Sequence, residues 1–171
     1  MSSTHLSTKK IALLGLLTAL CALLRIVKLP IPNVQPVTDI IMLVTLLFGI
    51  REGITLSILT ILVSNIYLGL GIWTLPQIFA YSICTLTIAL LRKITPIITN
   101  FWLQLLTSFF LGLEYGVAVS LGMALIGSAP AFIAYYTSGF LFDIYHAMGN
   151  LLFYPLIVPT LRNLLIKNYE G

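Results

Sequence analysis

A chain of 171 residues is the size of one domain, but 59% of it is hydrophobic and 8% charged, against about 25% charged in soluble domains. That balance excludes an ordinary soluble fold and indicates an integral membrane protein, read here as one domain over residues 1–171. The formal charge of +4 then says less about an acidic partner than about topology, because Lys and Arg concentrate on the cytoplasmic side.

A helix needs roughly 20 residues to cross about 30 Å of hydrocarbon. Apolar runs predict six helices, over residues 11–27, 37–50, 53–70, 76–91, 101–126 and 139–161. The first, IALLGLLTALCALL behind Lys9 and Lys10, is read as a retained helix, because Leu20 rather than a small residue precedes Cys21. The second is short for a spanning helix and carries Asp39 near its start. Pro- and Gly-rich stretches separate the runs: LPIPNVQP, GIREG, GLGIWTLP, RKITP and GSAP. Cys21 and Cys84 lie inside apolar runs and are read as small hydrophobes.

With six crossings and a cytoplasmic start, Lys9, Lys10, Arg51, Arg92, Lys93, Arg162 and Lys167 fall inside, and Arg25 and Lys28 outside. Five crossings would spoil that asymmetry. The expected fold is therefore an all-α, six-transmembrane-helix bundle with both termini cytoplasmic. The three outer loops, LPIPNVQPVTD, GLGIWTLPQ and GSAPAFIAYYTSG, then converge on one face rich in amides and aromatics.

That face supplies the candidate small-molecule contacts: Asn33, Gln35 and Asp39 from the first loop, Trp73 and Gln77 from the second with Asn65 and Tyr67 just before it, and Tyr135 and Tyr136 from the third. Tyr and Trp also anchor helices at the lipid interface, so a single aromatic does not decide the matter. In the last helix Asp143, His146, Asn150 and Tyr154 follow spacings of three, four and four, which put them on one helical stripe. Two readings of the stripe stay open: hydrogen bonding between helices, and the wall of a hydrated cavity. Asp143, His146 and Asn150 are accordingly carried as binding candidates. Glu114 sits inside the fifth helix beside a GxxxG face, Gly112 and Gly116, that lets another helix approach closely.

No HExxH, GxSxG or phosphate-binding loop is present, and His146 has no second His or Cys near it in sequence. No enzyme activity, metal or cofactor is expected.

The stretches KKIALLGLLTALCALLRI and PVTDIIMLVTLLFGIREG, together with the length, helix count and aromatic outer face, resemble the substrate-binding S component of energy-coupling factor (ECF) transporters. The resemblance implies a multi-pass protein of the bacterial plasma membrane that captures a vitamin at its outer face. It implies partners: a transmembrane coupling subunit and two cytoplasmic ATPases, in the lipid bilayer, with no nucleic acid among them. The family docks through an AxxxA face on the first helix. Here Gly15 pairs with Ala19 and Thr18 with Ala22, so the docking role passes to Gly15, Ala19 and Ala22. Among the branches, NVQPVTD and GLGIWTLPQ look most like S components for cobalamin or a corrinoid precursor; another heterocycle, such as a queuosine precursor, suits the same residues. A gradient-driven carrier using Glu114, Asp143 and His146 as a proton relay is the competing class, against which stand the small size and the lack of a repeated half.

Overall fold

The computed structural model describes residues 8–27, 31–127 and 129–169. All regular structure in them is helical: α1 (Thr8–Ile26), α2 (Val37–Phe48), α3 (Ile50–Leu68), α4 (Thr74–Ile94), α5 (Phe101–Ile126) and α6 (Ala129–Tyr169). Six helices form, as the apolar runs predict, and α3, α4, α5 and α6 are long and apolar enough to cross a membrane. α1 is as long as α3, but carries Lys9 and Lys10 in its first turn and Arg25 in its last. Lys28 lies outside the described residues.

The helices arrange around α2. α1 packs on α3, α3 on α4, α4 on α5 and α5 on α6, while α2 touches all five. Ten of the twelve α2 residues are buried. At 1.5 Å per residue α2 spans only about 18 Å, and its short, near-continuous apolar sequence suits a helix that meets protein on every side rather than lipid. Only Gly49 separates α2 from α3. Its φ of 111° is one that a residue with a Cβ adopts at a cost, so Gly turns the chain there in a single step.

The largest departure from the sequence reading is at α6. Residues 129–138, expected as part of an outer loop, are the first turns of a 41-residue helix that is about 60 Å long. Pro130 sits where a missing N–H costs nothing. Thr137 and Ser138 bond back to the carbonyls of Ile133 and Ala134 at 2.7 Å, which keeps their hydroxyls satisfied within the helix. Phe132 stacks on Tyr136, which meets Phe140 edge-on, at centroid distances of 5.7 and 6.1 Å. These four-residue aromatic steps support a helix where turn-like residues suggest a loop. Pro155 and Pro159 lie inside the same helix, as membrane helices tolerate when neighbours re-satisfy the freed carbonyls.

α5 and α6 make the most extensive helix pair, and Gly112 and Gly116, two of the three glycines of α5, explain it. A Cβ on Gly112 would lie 2.6 Å from the backbone N and Cα of Ala147. A Cβ on Gly116 would overlap the Asp143 carboxyl group. The GxxxG face is thus the seat of α6.

Candidate substrate cavity

A cavity of about 530 Å³ opens at one end of the bundle. Its walls come from the last turn of α1 (Arg25), the α1–α2 connection (Asn33, Gln35), the start of α4 (Gln77), the second half of α5 (Tyr115, Gly116, Val119, Ser120) and the first third of α6 (Tyr135, Ser138, Gly139, Phe142, Asp143). The unexpected turns of α6 are therefore what build one whole wall.

Local structure fixes these groups. Asn33 adopts a left-handed φ of 63° and its Nδ2 donates to the Phe142 carbonyl at 3.1 Å, tying the α1–α2 connection to α6. Val34 follows across Gly149, where a Cβ would come within 3.1 Å of its side chain. Asn65, buried at the end of α3, donates to Gln77 Oε1 at 2.9 Å and to Thr74 Oγ1 at 3.1 Å. This bond leaves Gln77 Nε2 as the group available to a ligand. Beneath the cavity, Tyr115 packs against Tyr81 at 4.5 Å and edge-on against His146 at 5.2 Å. Arg25 interacts with both tyrosines, and its Nε donates to Ser64 Oγ at 2.8 Å.

Of the sequence candidates, Asn33, Gln35, Gln77, Tyr135 and Asp143 line the cavity. The others do not, for separate reasons. Asp39 is fully buried in the first turn of α2, where Ser108 Oγ donates to its Oδ1 at 2.5 Å. Asn65 acts behind Gln77. Tyr67 is 80% exposed at the end of α3. The Trp73 indole folds back over Gly71 and donates from Nε1 to the Gly69 carbonyl at 3.2 Å; it closes its own turn. Tyr136 is taken by the aromatic stack along α6.

The α6 stripe divides. Asp143 reaches the cavity, while His146 bonds Thr38 through Nε2 at 2.7 Å, Asn150 donates to the Ser108 carbonyl at 2.8 Å, and Tyr154 donates to Gln104 Oε1 at 2.8 Å. These three hold α6 to α2 and α5, so the interhelical reading applies below Asp143 and the cavity reading at it.

Arg25 is the chief residue that sequence reasoning passed over, having counted it as a topological marker. The available signal was its position: a cation inside an apolar helix, at the end opposite Lys9 and Lys10, calls for a functional reading. Tyr115, Ser120, Ser138, Gly139 and Phe142 gave no comparable signal, since such residues also pack membrane helices.

On α1, Leu14, Thr18 and Ala22 form a buried stripe, whereas Gly15 and Ala19 are exposed and nothing lies within 4 Å of a Cβ on Gly15. Ala22 is therefore committed to the chain's own core. Ala19 borders a second, larger depression of about 830 Å³ between α1 and the far end of α6, lined mainly by Leu and Ala.

The family described as ECF transporter, substrate-specific component matches residues 9–158, a span that contains every residue of the polar cavity. No curated protein and no solved structure matches the chain. The chain belongs to the substrate-specific components of ECF transporters, membrane subunits that bind a small-molecule substrate and work with ECF membrane and ATPase modules.

Proposed function

We propose that this chain captures a micronutrient in the polar cavity at the outer face of a bacterial plasma membrane and passes it inward, driven by two cytoplasmic ATPases through a transmembrane coupling subunit. The cavity carries the reading: about 530 Å³ falls within the roughly 300–1,000 Å³ typical of small-molecule sites, and its wall mixes amides, hydroxyls and aromatic rings. The opposite end supports the orientation. There Lys10 pairs with Glu52 at 3.4 Å, Arg92 donates to the Thr45 carbonyl at 3.3 Å and Arg162 borders Leu46 and Gln104, as a cytoplasmic basic end would have it. The exposed face of α1 that carries Gly15 and Ala19 is the proposed docking surface for the coupling subunit.

The volume favours a small heterocyclic micronutrient over cobalamin, because a corrinoid exceeds the cavity and would have to project from its mouth. The carrier reading has less behind it. Glu114 accepts a hydrogen bond from Thr87 at 2.6 Å on the α4 side, and among the described residues no hydrogen bond links it to Asp143 or His146.

The test is ligand binding by the purified chain and uptake in proteoliposomes. The expected result is tight binding by the chain alone and uptake only with the coupling subunit, the ATPases and ATP. Uptake by the lone chain that collapses with the proton gradient would replace this reading with the carrier.

A further inference from the structure

Arg25 and Asp143 line the same cavity, yet they do not neutralise each other: among the described residues the one ion pair within 4.0 Å is Lys10–Glu52. Each has been placed, and neither has been paired. Arg25 is anchored through Nε by a neutral serine and flanked by two neutral phenols, which orients the guanidinium without supplying an anion. Asp143 lies over Gly116, the one residue type that leaves room for its carboxyl group, and it accepts no hydrogen bond from any described residue. Carrying a charge into a membrane helix costs about 2.5–3.5 kcal/mol on insertion scales, so two uncompensated charges facing one cavity require a partner. Gln35 Oε1 adds a buried acceptor with no protein donor, and Tyr135 and Phe142 add aromatic surface to the same wall.

We infer that the ligand is bipolar: an aromatic heterocycle with an acidic group that pairs with Arg25 and a ring N–H or amino group that donates to Asp143 and Gln35. This rests on the cavity being the substrate site. Arg can bind an acid through two parallel N–H donors, and a carboxylate can accept two adjacent N–H groups in the same way. Water alone in the cavity would leave both charges solvated but would give no reason for a cation from α1 and an anion from α6 to line one cavity unpaired.

The test is titration of the intact detergent-purified chain, at neutral pH, with four probes: folic acid (an aminated heterocycle bearing carboxylates), pantothenate (an anion without a ring donor), thiamine (a cation without an acid) and riboflavin (uncharged at its ring). Folic acid is expected to bind at least about tenfold tighter than the other three. Asp143→Asn, which keeps the shape over Gly116, and Arg25→Gln are each expected to weaken it by about tenfold or more. Arg25→Lys, which keeps the charge, should fall between wild type and Arg25→Gln, and guards against a general folding defect together with size-exclusion profiles. Tightest binding of pantothenate, thiamine or riboflavin, or unchanged folic acid affinity in folded Asp143→Asn and Arg25→Gln, overturns the bipolar ligand while leaving the substrate cavity standing. Binding of none of the four overturns the bipolar ligand and leaves the cavity to be judged by the small molecules that the chain retains from a cell extract.

Discussion

α5 and α6 run side by side for most of their length, but the polar groups between them behave differently at the two levels. Below, His146, Asn150 and Tyr154 each reach a named partner on α2 or α5, and Ser108 also meets Asp39. Above, Gln35 Oε1 has no protein donor, and Asp143 and Arg25 face the same open volume with no ion pair to protein. One stripe of polar residues on one helix thus serves as interhelical glue for two turns and as a cavity wall for one. What separates them is the neighbouring backbone: at Gly112 α6 sits directly on α5, whereas from Gly116 onward residues of both helices line the cavity.

That contrast predicts where substitutions act. The largest effect is expected for Gly112→Leu, whose side chain would be driven into the Ala147 backbone. Overpacking against backbone should cost about 3 kcal/mol or more, read as loss of monodisperse protein or a steep fall in thermal stability. If the protein stays stable with Leu at this position, close α5–α6 contact is not what sets the two levels apart. Asn150→Leu removes the donor to the Ser108 carbonyl and should destabilise by about 1 kcal/mol, the scale of an interhelical hydrogen bond in a membrane, with ligand affinity held within about twofold. A large affinity loss there would extend the binding wall downward.

Gln77→Ala tests the upper level from its other side. Losing one ligand hydrogen bond is expected to weaken binding by roughly five- to tenfold, about 1 kcal/mol, while stability falls by about 1 kcal/mol by calorimetry because buried Asn65 loses one of its two acceptors. The smallest effect on binding is expected for Trp73→Ala. Its indole closes the α3–α4 turn, so affinity should stay within about twofold while stability falls by about 1 kcal/mol, as for one lost hydrogen bond. Weaker binding with intact stability would return Trp73 to the site.

Most of the architecture was legible in the sequence because membrane helices announce themselves by uninterrupted apolar length; residues 101–126 were placed to the residue. The start of α6 was not, since Pro, Thr, Ser and Gly read as a loop, and the aromatic steps from Phe132 to Phe140 decide otherwise only once the helix exists. The site was legible in part. Asn33, Gln35, Gln77, Tyr135 and Asp143 are polar groups in or beside connections, which composition flags. Trp73 and Asp39 carry the same flag but turn to their own turn and to Ser108, a matter of side-chain direction that spacing does not encode. Arg25 was hidden by a general rule, since counting cations for topology sets aside the two, Arg25 and Lys28, that depart from it.

The central claim is that the polar cavity between α1, α4, α5 and α6 is where the substrate sits. Ser138 is exposed on its wall, so Ser138→Trp fills the volume without entering the core. Mass spectrometry of small molecules released from equal amounts of folded wild-type and Ser138→Trp protein, each loaded with the same cell extract, tests the claim directly. A compound of drug-like size released by the wild type and absent from the variant is the predicted result; equal release from both would contradict it.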